Sequence, residues 1–289
     1  MRFLSDETLA HLRDITETPD LTETRYELIR ELGRGGMGVV YEVHDRELGR
    51  SVAMKVVDDP ARAEAQIIAA LEHPGIVPVH DAGTLPDGRF YYTMKLVRGV
   101  RLDEWVRAGH GRTEALRLFA RICEPVAFAH ANGVVHRDLK PENVMVGEFG
   151  AVLVMDWGVA RATDAQHERM IVGTPGYMAP EQARGERADA RSDVYALGAM
   201  LPFLIGSDRT RPLNAIVARA MANDPDDRYA DARELANDVM RFLDGEPVSA
   251  YRENVLEIAA RFLTRHRALV AMLLAYLLMR TIILLWARI

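Results

Sequence analysis

The sequence predicts an α+β chain, with strands gathered in its first third and helices in the rest. Three observations predict it. Short runs of β-branched and aromatic residues at 39–43, 51–57 and 90–97 are divided by turn signals, among them Pro86-Asp87-Gly88. Helical spacing then takes over: Leu116, Phe119, Ala120, Cys123 and Ala127 fall on one face of 113–131, and further helices are expected at 102–106, 192–205, 213–221 and 232–243. Between the two regimes lies 134–146, VVHRDLKPENVMV, where two short apolar strands flank a polar loop carrying His136, Arg137, Asp138, Lys140 and Asn143.

Each element has its own warrant. Residues 1–25 read as an extension: a short amphipathic helix with Ser5 or Asp6 as cap, Leu9, Leu12 and Ile15 on one face, and Pro19 as its stop. The glycine-rich string 33–38 is ambiguous alone, because dinucleotide sites use the same spacing before a helix. Here Val40, Tyr41 and Val43 continue as a strand, so a hairpin with backbone N–H groups facing phosphates fits better. Lys55 stands inside the apolar run 51–57, which is costly unless it is paired. Its candidate partner is Glu64, ahead of helically spaced Ile67, Ile68 and Leu71, with only eight residues between lysine and glutamate. Strands are expected at 76–79 and 90–97, and again at 151–155, ending in Asp156-Trp157-Gly158. Pro125 removes one hydrogen bond from its helix and is expected to kink it. Cys123 reads as an inert core thiol.

Composition narrows the class. The 289 residues allow one large domain with appendages, and a net charge of −6 speaks against a general nucleic-acid binder. A single cysteine excludes an intramolecular disulfide, and no N-terminal leader is visible. At the other end, 268–286 is an apolar run of 19 residues broken by Arg280. Its Leu, Ile and Val residues contribute roughly −3 to −6 kcal/mol on the insertion scale, against about +2.5 to +3.5 for a central arginine. A single-pass membrane helix is therefore expected there, with an interfacial helix as the alternative. Arg261, Arg265 and Arg267 ahead of it, against Arg288 behind, place the rest of the chain in the cytoplasm. Residues 246–267 read as a basic linker, with no further domain beyond the span.

The loop string resembles the catalytic loop of protein kinases, H-R-D-L-x-x-x-N, in particular that of bacterial serine/threonine kinases of eukaryotic (Hanks) type. Other motifs follow in the family's order: the glycine string, Val52-Ala53-Met54-Lys55, Asp156-Trp157-Gly158, and Gly173-Thr174 leading to Ala179-Pro180-Glu181. The resemblance covers 26–245 and implies a two-lobed fold, a β-rich lobe over 26–97 and a helical lobe over 98–245. It implies ATP bound by Leu32, Gly33, Arg34, Gly35, Gly36, Met37, Gly38, Val40, Ala53, Lys55, Met94, Lys95, Val97 and Met145. Asp138 would accept the proton of the acceptor hydroxyl, Lys55 and Lys140 would hold phosphate charge, and Asn143 and Asp156 would bind Mg²⁺ or Mn²⁺. Glu64 would pair with Lys55, Thr174 would bond to Asp138 and Lys140, Asp193 would anchor the loop backbone, and Arg228 would pair with Glu181.

Arg137 implies a regulatory phosphate on the activation segment, where Thr163 is the only hydroxyl residue between Gly158 and Gly173; Asp164 or Glu168 could supply a fixed charge instead. The chain departs from the family in a short helix around Glu64, in Lys95 where an acidic residue is more common, and in the near absence of the segment after 205. Serine/threonine kinase activity on proteins, the chain itself included, is the expected function, at the inner membrane and with a homodimer allowed. A membrane-bound pseudokinase or scaffold is the alternative. A small-molecule kinase fits the activation segment less well.

Overall fold

The computed structural model describes residues 18–35, 38–57, 62–157, 161–162, 173–206 and 210–286, with the backbone alone at 62–64, 161–162 and 284–285. The expected helix near the N-terminus, Gly36, Met37, Thr163, Asp164 and Glu168 lie outside the described residues, as does the side chain of Glu64.

The first lobe is built on strands β1 (Tyr26–Gly35), β2 (Gly38–Asp45) and β3 (Arg50–Val57), helix α1 (Arg62–Ala69), and strands β4 (Val79–Thr84) and β5 (Phe90–Lys95). The five strands form an antiparallel sheet in the order β1-β2-β3-β5-β4. Its central strand explains the apolar run around Lys55. Strand period two sends Val52, Met54 and Val56 to one face, where they pack with Tyr26, Tyr41, Val43 and Tyr91. Ala53 and Val57 go to the other face and join the main core. Lys55 shares that second side, pointing between the lobes. Gly38 opens β2 at φ 121°, and a Cβ there would lie 2.3 Å from the Val56 carbonyl oxygen, so only glycine fits.

The expected strand at 76–79 is corrected. Pairing begins at Val79 and runs to Thr84, because Pro78 has no N–H to offer a ladder. Ile76 makes only an isolated parallel bridge to Val154. β4 is an edge strand with alternating burial, so it tolerates His80 and Asp81, and that polarity hid it from an apolar-run reading.

The second lobe holds β6 (Gly99–Arg101), α2 (Leu102–Arg107), α3 (Arg112–Ala131), β7 (Val134–Val135), β8 (Val144–Gly147), β9 (Val152–Val154) and β10 (Arg161–Ala162). Then come α4 (Pro180–Ala183), α5 (Ala190–Ile205), α6 (Arg211–Ala220), α7 (Ala232–Leu243), α8 (Val255–Arg265) and α9 (Arg267–Trp286). Sheets β6-β8-β9 and β10-β7 frame the polar loop. Helix α3 is the lobe's axis, with its apolar stripe against α5, α7 and β9. It continues through Pro125, whose ring contacts the Gly75 position, where a Cβ would meet it at 3.0 Å. Cys123 is fully buried, and burial pushes its thiol pKa well up, as an inert core thiol requires.

Two short stretches stand out. Helix α1 has eight residues, and residues 206–210 alone separate α5 from α6. The two helices approach closely: a Cβ on Gly198 would lie 2.7 Å from that of Ala220. Within 246–267, expected as a basic linker, 255–265 is a regular helix capped by Asn254 and Glu257. Among the described residues no single helix is long and apolar enough to cross a membrane; α8 and α9 together pass that test, bent by 85°.

A buried ion pair closes the base of this lobe. Arg228 donates from Nη1 and Nη2 to the Glu181 carboxylate at 2.7 and 2.8 Å, and from Nε to the Ala222 carbonyl at 2.8 Å. The Ser192 hydroxyl also donates to Glu181, at 2.7 Å. Side-chain exposures of 0% and 5% put the pair out of water. Burial alone would raise the Glu181 pKa, but these donors outweigh it and hold the carboxyl below its ordinary value. Arg228→Met strands the carboxylate. It should therefore lower stability by about 3–5 kcal/mol, read as a lower urea midpoint from intrinsic tryptophan fluorescence; a midpoint unchanged from the parent would refute this.

Candidate active site

The site begins with a buried carboxylate behind the polar loop. Asp193, 1% exposed on α5, accepts the backbone N–H groups of His136 and Arg137 at 2.8 Å each. It also meets His130 Nε2 at 2.8 Å. Burial pushes its pKa up, yet these bonds, led by that of His130, bring it below the ordinary carboxylate value. The anchor holds Arg137 at φ 72°, a left-handed conformation that a side chain rarely adopts unsupported. Gln182 Nε2 fixes the same residue from α4, donating to the Arg137 carbonyl at 2.8 Å.

That turn sets Asp138. Its Oδ1 accepts the Thr174 hydroxyl at 2.7 Å, and its Oδ2 lies 2.9 Å from Lys140 Nζ. Lys140 Nζ also donates to Thr174 Oγ1 at 2.8 Å, so three groups from two segments form one ring of bonds. Asn143 Nδ2 donates to the Asp138 carbonyl at 2.8 Å and to its Oδ2 at 3.3 Å. With its nitrogen so committed, Asn143 has its amide oxygen as the group to offer a cation.

The loop is tied to the strand end that carries Asp156. His136 Nε2–H donates to the Met155 carbonyl at 3.0 Å, and its Nδ1 accepts the Asp138 N–H at 3.3 Å, which sets the tautomer. Its ring lies 4.6 Å from Trp157, which is fully buried with its indole N–H bonded to the Val154 carbonyl at 3.2 Å. An indole thus takes the aromatic position with its one polar atom satisfied. Asp156, the residue just before it, stands at φ 56° and meets Lys55 Nζ at 2.9 Å. Burial raises the Asp156 carboxyl, but the Lys55 ammonium more than offsets it and the pKa lies below the ordinary value.

Lys55, Asp138, Lys140, Asn143 and Asp156 all line one cleft of about 1020 Å³ between the lobes. Leu32, Gly33, Arg34, Gly35, Gly38, Val40 and Ala53 form its roof, Met94, Lys95 and Val97 its back, and Met145 part of its floor. Residues 26–240 match the protein kinase domain family.

The chain belongs to the protein kinase family.

It is 38% identical to the serine/threonine-protein kinase PknB of Mycolicibacterium smegmatis over 81% of its own length and 45% of that protein's. Identity to the probable serine/threonine-protein kinase SCO3848 of Streptomyces coelicolor is 37%, covering 81% of this chain and 42% of the relative. For the serine/threonine-protein kinase PknD of Chlamydia felis the values are 32%, 77% and 31%. The chain thus spans less than half the length of these relatives.

Of the residues read from the sequence, Arg137, Glu181, Asp193 and Arg228 stand behind the cleft of this kinase domain, and Thr174 bonds directly to Asp138. Sequence reading missed several supports. His130 carries no local signal, since only the fold sets its helix end beside Asp193. Gln182 and Ser192 are equally silent in one dimension, and Met155 and Val77 line the cleft without any motif. The donor set suits a hard cation: Asn143 and Asp156 offer oxygen to the same cleft. Among the described residues there is no cluster of three His, Cys, Asp or Glu that could hold a metal.

Because Asp193 and Glu181 have lowered folded pKa values, their contribution to stability is complete above the ordinary carboxylate range, about pH 4, and is lost as pH falls toward the folded values. Urea midpoints measured from about pH 7 down to about pH 3 should fall steeply at the acid end. Asp193→Asn should be less stable at neutral pH with a shallower acid limb; an identical limb in the variant would refute the assignment.

Proposed function

We propose that this chain is an ATP-dependent serine/threonine protein kinase, acting on protein hydroxyls and on itself. The observation that carries the reading is the Asp138 carboxylate, held on both oxygens by Thr174 and Lys140 and facing the same cleft as Lys55 and Asp156. Asp138 orients the acceptor hydroxyl and takes its proton. The freed oxygen attacks the γ-phosphorus, the bond from that phosphorus to the β–γ bridging oxygen breaks, and ADP leaves. Lys55 would neutralise the α- and β-phosphates, and Lys140, held beside Asp138, would neutralise charge on the transferring group. Asn143 and Asp156 would hold Mg²⁺ or Mn²⁺, which draws charge off the phosphate oxygens. Lys95 spends its N–H on the Pro78 carbonyl at 3.3 Å, so an adenine contact there would use its carbonyl, and Val97 would supply the next one. Catalysis by this set is positioning and electrostatics, so its loss costs rate more than stability.

The kinase domain is assigned to 26–245, with 268–286 as a membrane span, although α9 meets the length and apolarity test only together with α8, and with the domain in the cytoplasm at the inner membrane. The apolar sequence of α9 and the arginines ahead of it support this.

Incorporation of label from γ-labelled ATP should fall by about 10²–10⁴-fold in Asp138→Asn, the range of general-base contributions, with the thermal midpoint unchanged. Equal or absent incorporation in both folded proteins would instead leave a scaffold that binds nucleotide or partners without transfer. Alkaline carbonate extraction of cell membranes should leave the chain in the pellet; its release would sink the span.

A further inference from the structure

Helix α8 is amphipathic, and it is mounted the wrong way round for water. Val255, Leu256, Ile258, Phe262 and Leu263 share one side, while Glu257, Arg261, Thr264 and Arg265 share the other. On a soluble domain the apolar side packs inward. Here the apolar side is open, with Val255 81%, Leu256 80% and Phe262 59% exposed. The polar side turns to the kinase domain and to the segment that leaves it. Glu257 accepts the Tyr251 hydroxyl at 2.8 Å and lies 3.5 Å from Arg211 at the start of α6. Arg261 pairs with Glu253, and Arg265 lies 3.9 Å from Glu246.

The mounting is firm. Val248 is buried, and Asp238 of α7 accepts the Ser249 N–H at 2.8 Å, the Ser249 hydroxyl at 2.7 Å and the Ala250 N–H at 3.1 Å. The Tyr229 hydroxyl adds a bond to the same carboxylate at 2.9 Å. The segment ahead of α8 is therefore strapped to the catalytic lobe. After α8 the chain turns by 85° into α9. If α9 runs along the bilayer normal, α8 lies in the bilayer plane. Its exposed apolar side is followed in the chain by apolar α9, and exposed Arg252 and Arg267 flank it at the level of lipid headgroups.

We propose that α8 is an interfacial helix, lying in the surface of an anionic bilayer with its apolar side in the headgroup–acyl boundary, and that it holds the kinase domain against the membrane in one orientation. This rests on the reading of α9 as a span. A lipid surface, unlike a protein groove, offers apolar cover and negative charge side by side, which is what the exposed side and its flanking arginines ask for.

The test uses the full chain in vesicles of phosphatidylcholine with a minor share of phosphatidylglycerol. Spin labels are placed one at a time through Leu256→Cys, Leu263→Cys, Thr264→Cys and Leu274→Cys; buried Cys123 stays unlabelled. Labels at 256 and 263 should be open to oxygen, shielded from a water-soluble nickel chelate, and about 5–10 Å deep. The label at 264 should be open to the chelate, and the one at 274 deepest. Labels at 256 and 263 as open to the chelate as that at 264, with 274 still deep, would overturn the interfacial helix and leave the span standing. A chelate-accessible label at 274 would remove the span itself, whatever α8 does. Spin–spin broadening at 256 or 263 that disappears on dilution with unlabelled chain would assign the apolar side to a second copy, and would also overturn the proposal.

Discussion

The buried carboxylate of Asp193 is the constraint from which the site hangs. Two backbone N–H groups and a histidine leave it solvated by protein alone. In return it holds Arg137 in a left-handed turn that the chain would not keep by itself. The turn aims Asp138, Asp138 fixes Asn143, and His136 carries the register across to Met155 and so to Asp156. Lys55 completes the series from the other lobe. A charge buried without these donors would be costly, and the loop without the charge would have no reason to adopt this path.

The same logic appears at Glu181 and Arg228, where an ion pair shielded from water joins α4 to α5 and to the turn before α7. Both knots attach at the first turn of α5, through Ser192 and Asp193. The close contact across Gly198 draws α6 onto α5 directly. Short α1 still reaches the cleft, through Ile68.

At the C-terminus the polar groups also decide the geometry, but in the opposite sense. Asp238 gathers donors from Tyr229, Ser249 and Ala250, so the chain leaves the domain along a fixed line. The side of α8 that could have entered a core is thereby turned outward. Composition alone reads 246–267 as basic and mixed, which is why a linker was the natural expectation.

What the sequence determined by itself was the local chemistry and the elements with strong periods. The Lys55 strand, the 134–146 loop and helices 113–131 and 232–243 were legible from motif and spacing, because each is written in contiguous residues; the pairing of Arg228 with Glu181 followed only from the family resemblance. The edge strand at 79–84 was not legible, since its polarity is allowed only by its place at the sheet's rim. Nor were His130 at Asp193, Gln182 at the Arg137 carbonyl, or the outward face of α8. The first two depend on contacts across 63 and 45 residues, and the third on burial, which only the folded chain sets. The chemistry of the site was in the one-dimensional order of residues; the strain, the anchors and the orientation that make it usable came from tertiary packing.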